Sequence, residues 1–231
     1  MVTSMNIYEK TLAELKKHSD AKYKEFNDKI IASAYETIGV RIPAIKRIAK
    51  SIPQSEINDY LENCEFGNYE CTLVYGLLIA RLCFDEMWSR KDFYLSKCDG
   101  WGLVDSFVPA IKVRAKDKER FYSLLTEDIE TQKDFQLRFR IVALMSFFVG
   151  GEHTEEILYI TERLDGKGYY NDMAIAWLIS SAFVKRRGVT LKFLENDKLG
   201  KFTHNKAISK INDSLRVNVE DKTYLKTLRK Q

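Results

Sequence analysis

The chain has 231 residues, 45% of them hydrophobic and 30% charged, with a formal net charge of +4. That is enough apolar content for a sizeable core and too much for a disordered chain. Only three prolines and eleven glycines interrupt it, which favours long helices with short connections over a many-turned β fold. No apolar run approaches the ~20 residues needed to span a bilayer, and Met1 to Lys17 lacks a basic stretch followed by an apolar core, so a soluble cytoplasmic protein is expected.

From Asn6 to Lys17, Ile7, Leu12 and Leu15, with Tyr8 beside them, mark a first amphipathic helix, and Tyr23 to Ala34 gives a second. Gly39 ends a segment. Pro43 then opens a helix at a position where a missing N–H does no harm, with Ile45, Ile48, Ala49 and Ile52 as its buried stripe. Its exposed flank carries Arg41, Lys46, Arg47 and Lys50, four cations that can meet phosphate or simply form a solvated basic face. Ser55 and Asn58 are expected to cap a short helix through Leu61.

Tyr69 to Cys83 is apolar almost all round, so this helix is expected between its neighbours, with Cys71 and Cys83 as buried thiols and Glu70 as a partner of the helix dipole. Asp85 to Leu95 makes an outer helix. After the segment that begins at Trp101, Asp117 to Leu125 reads as a charged outer helix, Phe135 to Val149 as an inner one, Glu155 to Leu164 as outer and Tyr169 to Val184 as inner. Alternating polar and apolar helices are what stacked helix pairs require, because only one layer of the stack is sandwiched.

Charge is uneven along the chain. Residues 181–231 hold thirteen Lys/Arg against five Asp/Glu, net +8, and residues 1–180 hold 24 against 28, net −4. Lys185, Arg186 and Arg187, followed by Lys198, Lys201, Lys206 and Lys210, are expected to form one edge of a surface that attracts a polyanion, although cations at helix ends also arise from dipole complementarity.

Several chemistries are disfavoured. The four cysteines at 64, 71, 83 and 98 form no Cys-x-x-Cys pair, and only His18, His153 and His204 are available, so no metal site and no Ser-His or Cys-His hydrolase is expected. No glycine-rich phosphate loop or dinucleotide fingerprint is present, and no cofactor is expected.

What stands out is Asp99-Gly100-Trp101-Gly102-Leu103-Val104-Asp105. Leu103, Val104, Phe107, Val108 and Ile111 form a helical stripe for burial, which leaves Trp101, Asp105 and Lys112 at its edge, the indole and the carboxylate one turn apart. A packing tryptophan and a dipole-matching aspartate would look the same in isolation. Arg138 lies 37 residues after Trp101, and Trp177 lies 39 after Arg138, both within strongly apolar helices. Separations near 40 residues match a two-helix repeat of the HEAT class, so the three positions recur at equivalent points of successive repeats.

Trp101-x-x-x-Asp105 within Val104-Asp105-Ser106-Phe107-Val108-Pro109, Arg138 after Phe135, and Trp177 within Ala174-Ile175-Ala176-Trp177 together resemble the AlkD-like family of bacterial DNA alkylation repair glycosylases. Gly39-Val40-Arg41-Ile42-Pro43 is similar to that family's Gly-Ile/Val-x-Thr-Pro signature, and Lys206-Ala207-Ile208-Ser209-Lys210-Ile211 to its closing Ala-Ile-x-x-Ile helix. The resemblance runs from about residue 20 to about residue 220. It implies an all-α, HEAT-like helical-repeat solenoid of stacked antiparallel helix pairs, a single domain over 1–231 with a concave basic DNA-binding face. The implied partner is double-stranded DNA containing alkylated bases, met by a monomer without a membrane.

The implied chemistry fits the residues. An N3- or N7-alkylated purine already carries positive charge and leaves without an acid, while a fixed carboxylate stabilises oxocarbenium character on the deoxyribose. Asp105 is expected in that role, and it can also orient the attacking water. Trp101 and Trp177 would offer indole faces to the cationic nucleotide, and Arg138 would hold the adjacent phosphate. Arg138, Lys185, Arg186, Arg187 and Lys206 are the expected DNA contacts. The family also implies that the lesion is held against this surface without being flipped into a deep pocket.

Three positions depart from the family pattern. Gly100 precedes Trp101 where the family has a second tryptophan, Gly102 stands in place of an aspartate, and Ile30 occupies the position of a cleft tyrosine. Arg140, two residues from Arg138, competes for the same role but leans to another face. A non-catalytic HEAT-like protein for damaged or branched DNA and a helical scaffold for a protein partner, with the tryptophans as anchors, are the alternative readings.

Overall fold

A computed structural model describes residues 5–31 and 33–231; residues 1–4, where the N-terminal segment begins, and Ala32, inside the expected second helix, lie outside the described residues. All regular structure among the described residues is helical, and no helix there is long and apolar enough to cross a membrane. The architecture is an all-α helical repeat of the HEAT kind. Its helices fall into two compact units, one running to Asp117 and the other from Lys118.

In the first unit α3 (Ile42–Ser51), α5 (Tyr69–Ile79) and α7 (Trp101–Phe107) form an inner row, and α1 (Ile7–Lys17), α4 (Ile57–Asn63) and α6 (Phe84–Ser96) pack on it. A short α2 (Ala21–Asp28) precedes α3. The entry to α1 is a capping box, with the Asn6 side chain accepting the Glu9 N–H and the Glu9 carboxylate accepting the Asn6 N–H. All eleven residues of α5 are buried, as an apolar helix sandwiched between neighbours must be.

Tyr94 ties three helices together. From α6 its ring stacks on Tyr75 of α5 and meets Phe107 of α7 edge-on, and its hydroxyl donates to the Leu103 carbonyl at 3.2 Å. Room for that ring exists because residue 76 is glycine: a Cβ there would lie 2.4 Å from Tyr94 Cζ. Alanine gains about 1 kcal/mol of helix propensity over glycine, but overpacking a core site costs about 1–3 kcal/mol, and the hydrogen-bonded, fully buried Tyr94 has nowhere to move. Gly76→Ala is therefore expected to lower the urea midpoint of unfolding; an unchanged or raised midpoint would show that the ring yields.

In the second unit α9 (Asp134–Phe147), α11 (Tyr169–Lys185) and α13 (Lys201–Asp213) form the inner row. The helices α8 (Lys118–Thr126), α10 (Thr154–Leu164), α12 (Arg187–Glu195) and α14 (Val219–Thr227) are the outer ones. Alternation of polar and apolar helices along the sequence thus marks outer and inner layers, as expected.

The structure corrects four local expectations. The second helix ends at Asp28, not Ala34, because the Asp28 carboxylate accepts the Thr37 hydroxyl and the chain turns. Ser55 and Asn58 cap nothing: Gln54–Glu56 is a 3-10 turn that runs straight into α4, and Asn58 instead accepts from Arg90. Helix α5 ends at Ile79, which leaves Cys83 exposed at the start of α6. Glu70 is no mere dipole partner. Only 1% exposed, its carboxylate accepts the backbone N–H groups of Ile38, Gly39 and Val40 at 2.8–3.0 Å, holding the loop that enters α3. Gly39 sits there at φ +88°, a conformation glycine adopts without strain.

Candidate functional site

Helix α7 is short, and its burial pattern sets its orientation. Leu103, Val104, Phe107 and Val108 are fully buried, so the opposite edge presents Trp101, 37% exposed, and half-buried Asp105 one turn later, followed by exposed Pro109 and Lys112. The entrance to the helix is clamped. Asp99 accepts the Ser33 hydroxyl and the backbone N–H groups of Ala34 and Tyr35, and the Tyr35 hydroxyl donates to the Lys97 carbonyl. The backbone just ahead of Trp101 is thereby held in place. Burial pushes the Cys98 thiol, three residues before Trp101, up to about 12, so it is no nucleophile at neutral pH.

Gly102 has a structural reason. A Cβ at that position would lie 2.5 Å from the hydroxyl oxygen of Tyr69, a buried side chain at the start of α5. The tyrosine fills the space that any side chain at residue 102 would need. Ile30 is half exposed, and Ile31 beside it is buried.

In the second unit Trp177 lies on the one stripe of α11 that its neighbours leave uncovered, with Tyr170, Met173, Trp177 and Ser181 partly exposed at helical spacing. Trp177 is 40% exposed. The rings of Tyr169 and Phe202, both well exposed, lie 5.8 Å apart, and the Lys206 ammonium stands 5.8 Å from the Phe202 ring. Beside them Lys201, Phe202, Asn205, Lys206, Ser209 and Arg229 line a depression of about 460 Å³. Of this group the sequence pattern points to the lysines alone; Tyr169, Phe202 and Arg229 carry no signal that separates them from core or tail residues.

Arg138 and Arg140 lean apart, as their spacing requires. Arg140 Nη1 donates to the carbonyls of Leu124, Leu125 and Glu127, capping the end of α8. Arg138 is only 5% exposed, and its Nη1 donates to the Tyr170 carbonyl in the first turn of α11.

The run Lys185, Arg186, Arg187 has internal partners that the sequence does not reveal. Lys185 Nζ donates to the Val149 carbonyl at 2.9 Å and Arg186 Nη1 to Gly151 at 3.2 Å, both just beyond the end of α9. Arg187 forms a two-pronged ion pair with buried Asp221. All three remain exposed, but they serve helix ends and a tertiary ion pair as well as the surface.

Hydrogen bonding from the Arg187 guanidinium holds the Asp221 carboxyl below the usual carboxylate range. A depressed folded-state pKa adds stability above the unfolded value of about 3.9 and loses it as pH falls through the folded value. Asp221→Asn is thus expected to lower the melting temperature at pH 7, with the two proteins converging as the pH drops below about 4. A gap that stays constant to pH 2 would contradict this.

Over residues 11–211 the sequence matches the model of the family described as DNA alkylation repair enzyme. The chain belongs to this family. No curated protein matches it. A DNA alkylation repair enzyme acts on DNA.

Proposed function

We propose that this DNA alkylation repair enzyme is a glycosylase that hydrolyses the N-glycosidic bond of cationic N3- and N7-alkylpurines in duplex DNA. The observation that carries the reading is the shared edge of α7, where an exposed indole and a carboxylate stand one turn apart on a helix otherwise committed to the core. A carboxylate facing DNA weakens binding through like-charge repulsion, so its place beside an exposed tryptophan needs a chemical reason. Stabilising an oxocarbenium-like sugar is such a reason, and a leaving base that is already cationic needs no general acid.

In this reading Asp105 stabilises the transition state and orients water. Trp101 and Trp177 offer ring faces to the positively charged nucleotide, each worth roughly 0.5–2 kcal/mol. Arg138 is assigned the adjacent phosphate, through charge-assisted hydrogen bonds.

Lys206 is assigned direct phosphate contact, and Lys185, Arg186 and Arg187 act mainly through their field. Lys206→Ala should then lower the salt slope of DNA binding by about 1, whereas Lys185→Ala leaves it nearly unchanged. Equal slopes for all three proteins would remove Lys206 from the interface.

The deciding assay is release of N7-methylguanine and N3-methyladenine from methylated duplex DNA, with spontaneous depurination subtracted. Release above background supports the glycosylase. No release, with salt-sensitive binding intact, favours a non-catalytic protein for damaged DNA, and binding insensitive to salt points to a protein-interaction scaffold.

A further inference from the structure

A group of ligating side chains far from α7 in sequence has no part in the chemistry above. His153, immediately before α10, stacks flat on Tyr122 of α8 with ring centres 3.8 Å apart and meets Phe148 edge-on, so its ring is held in one plane. Its Nε2 atom is sealed from solvent and has no hydrogen-bond partner. That nitrogen faces the Glu119 carboxylate at 3.6 Å and the Glu152 carboxylate at 4.0 Å, and the three ligand atoms lie within 4.8 Å of one another. On the other side of the ring Nδ1 is 3.7 Å from Glu156.

These distances are too long for hydrogen bonds and right for something between the groups. Two donors on a common ion at about 2.0–2.2 Å lie about 3–4 Å apart. Without a cation, the sealed ring nitrogen is left unsatisfied between two solvent-exposed carboxylates, which costs the desolvation of that nitrogen. The geometry points to a binding site for one late first-row divalent ion, such as Zn²⁺, held by His153 Nε2, Glu119 and Glu152. Glu156 has a distinct role: a small approach lets Nδ1–H donate to it, which fixes the tautomer whose Nε2 lone pair is free to ligate. Two carboxylates balance the charge of the ion, and the imidazole selects against Mg²⁺ and Ca²⁺, which prefer all-oxygen shells. The bound ion would join the start of α8 to the start of α10, an assignment independent of any reading of the DNA site.

Calorimetric titration of the full-length, chelator-washed Cys83→Ser protein with Zn²⁺, and with Mg²⁺ as control, tests this, since Cys83 is an exposed thiol. The expected result is one Zn²⁺ per chain, no Mg²⁺ heat, and at least a tenfold loss of Zn²⁺ affinity in both His153→Ala and the surface pair Glu119→Gln with Glu152→Gln. The histidine variant opens a ring contact, but the glutamine pair changes only exposed carboxylates and tests the site in an intact fold. Absence of Zn²⁺ binding up to millimolar concentration overturns the assignment, as does affinity undiminished in the glutamine pair, which would place the ion on another side chain such as His18.

Discussion

Asp105→Asn is expected to reduce base excision by about 10²–10³-fold or more, the loss seen when one preorganised electrostatic group is removed from a transition state. DNA affinity should stay equal or rise. Asparagine keeps the volume of the side chain and removes its charge, with one oxygen replaced by NH₂, so the half-buried position at the edge of α7 is not emptied and Leu103, Val104 and Phe107 keep their packing. Single-turnover release of N7-methylguanine, paired with binding to the same duplex, separates the two effects. Excision at the wild-type rate would refute the role of Asp105. A parallel loss of binding and rate would mean that the residue positions DNA and takes no part in the reaction.

The second large effect concerns stability. Glu70→Ala is expected to cost about 3–5 kcal/mol, since it removes the acceptor of three backbone N–H groups in a place water does not reach. Glu70→Gln should cost less but still destabilise, because one carboxylate oxygen becomes an NH₂ that faces donors. Chemical denaturation followed by tryptophan fluorescence measures both. If alanine proves within about 0.5 kcal/mol of wild type, the loop at Ile38 to Val40 finds other acceptors and the clamp is not structural.

Residues whose role is set by periodicity were legible in the sequence. The stripe Leu103, Val104, Phe107, Val108 and Ile111 is buried as its spacing requires, and Trp101 and Trp177 emerge at the opposite edges for the same reason. Roles set by distant partners were not. Glu70 is in the first turn of α5, where a carboxylate commonly matches the dipole, and its function depends on a loop some thirty residues earlier. The basic run at Lys185 to Arg187 reads as a free cationic edge until the ends of α9 and the side chain of Asp221 are seen. Gly102 looks like a lost functional residue, and only the Tyr69 hydroxyl explains it. His153 shows no ligand spacing because Glu119 lies on another helix.

Helix α7 divides its labour within seven residues. Its buried side chains hold the fold together, whereas Trp101 and Asp105 stand at its partly exposed edge. In the proposed reading, fold and reaction are therefore largely separable: a lineage can exchange the indole or the carboxylate in single steps at less cost to the fold than a change at Leu103 or Phe107. Such a helix gives selection a place to silence, retune or restore an activity without first repairing the scaffold that carries it.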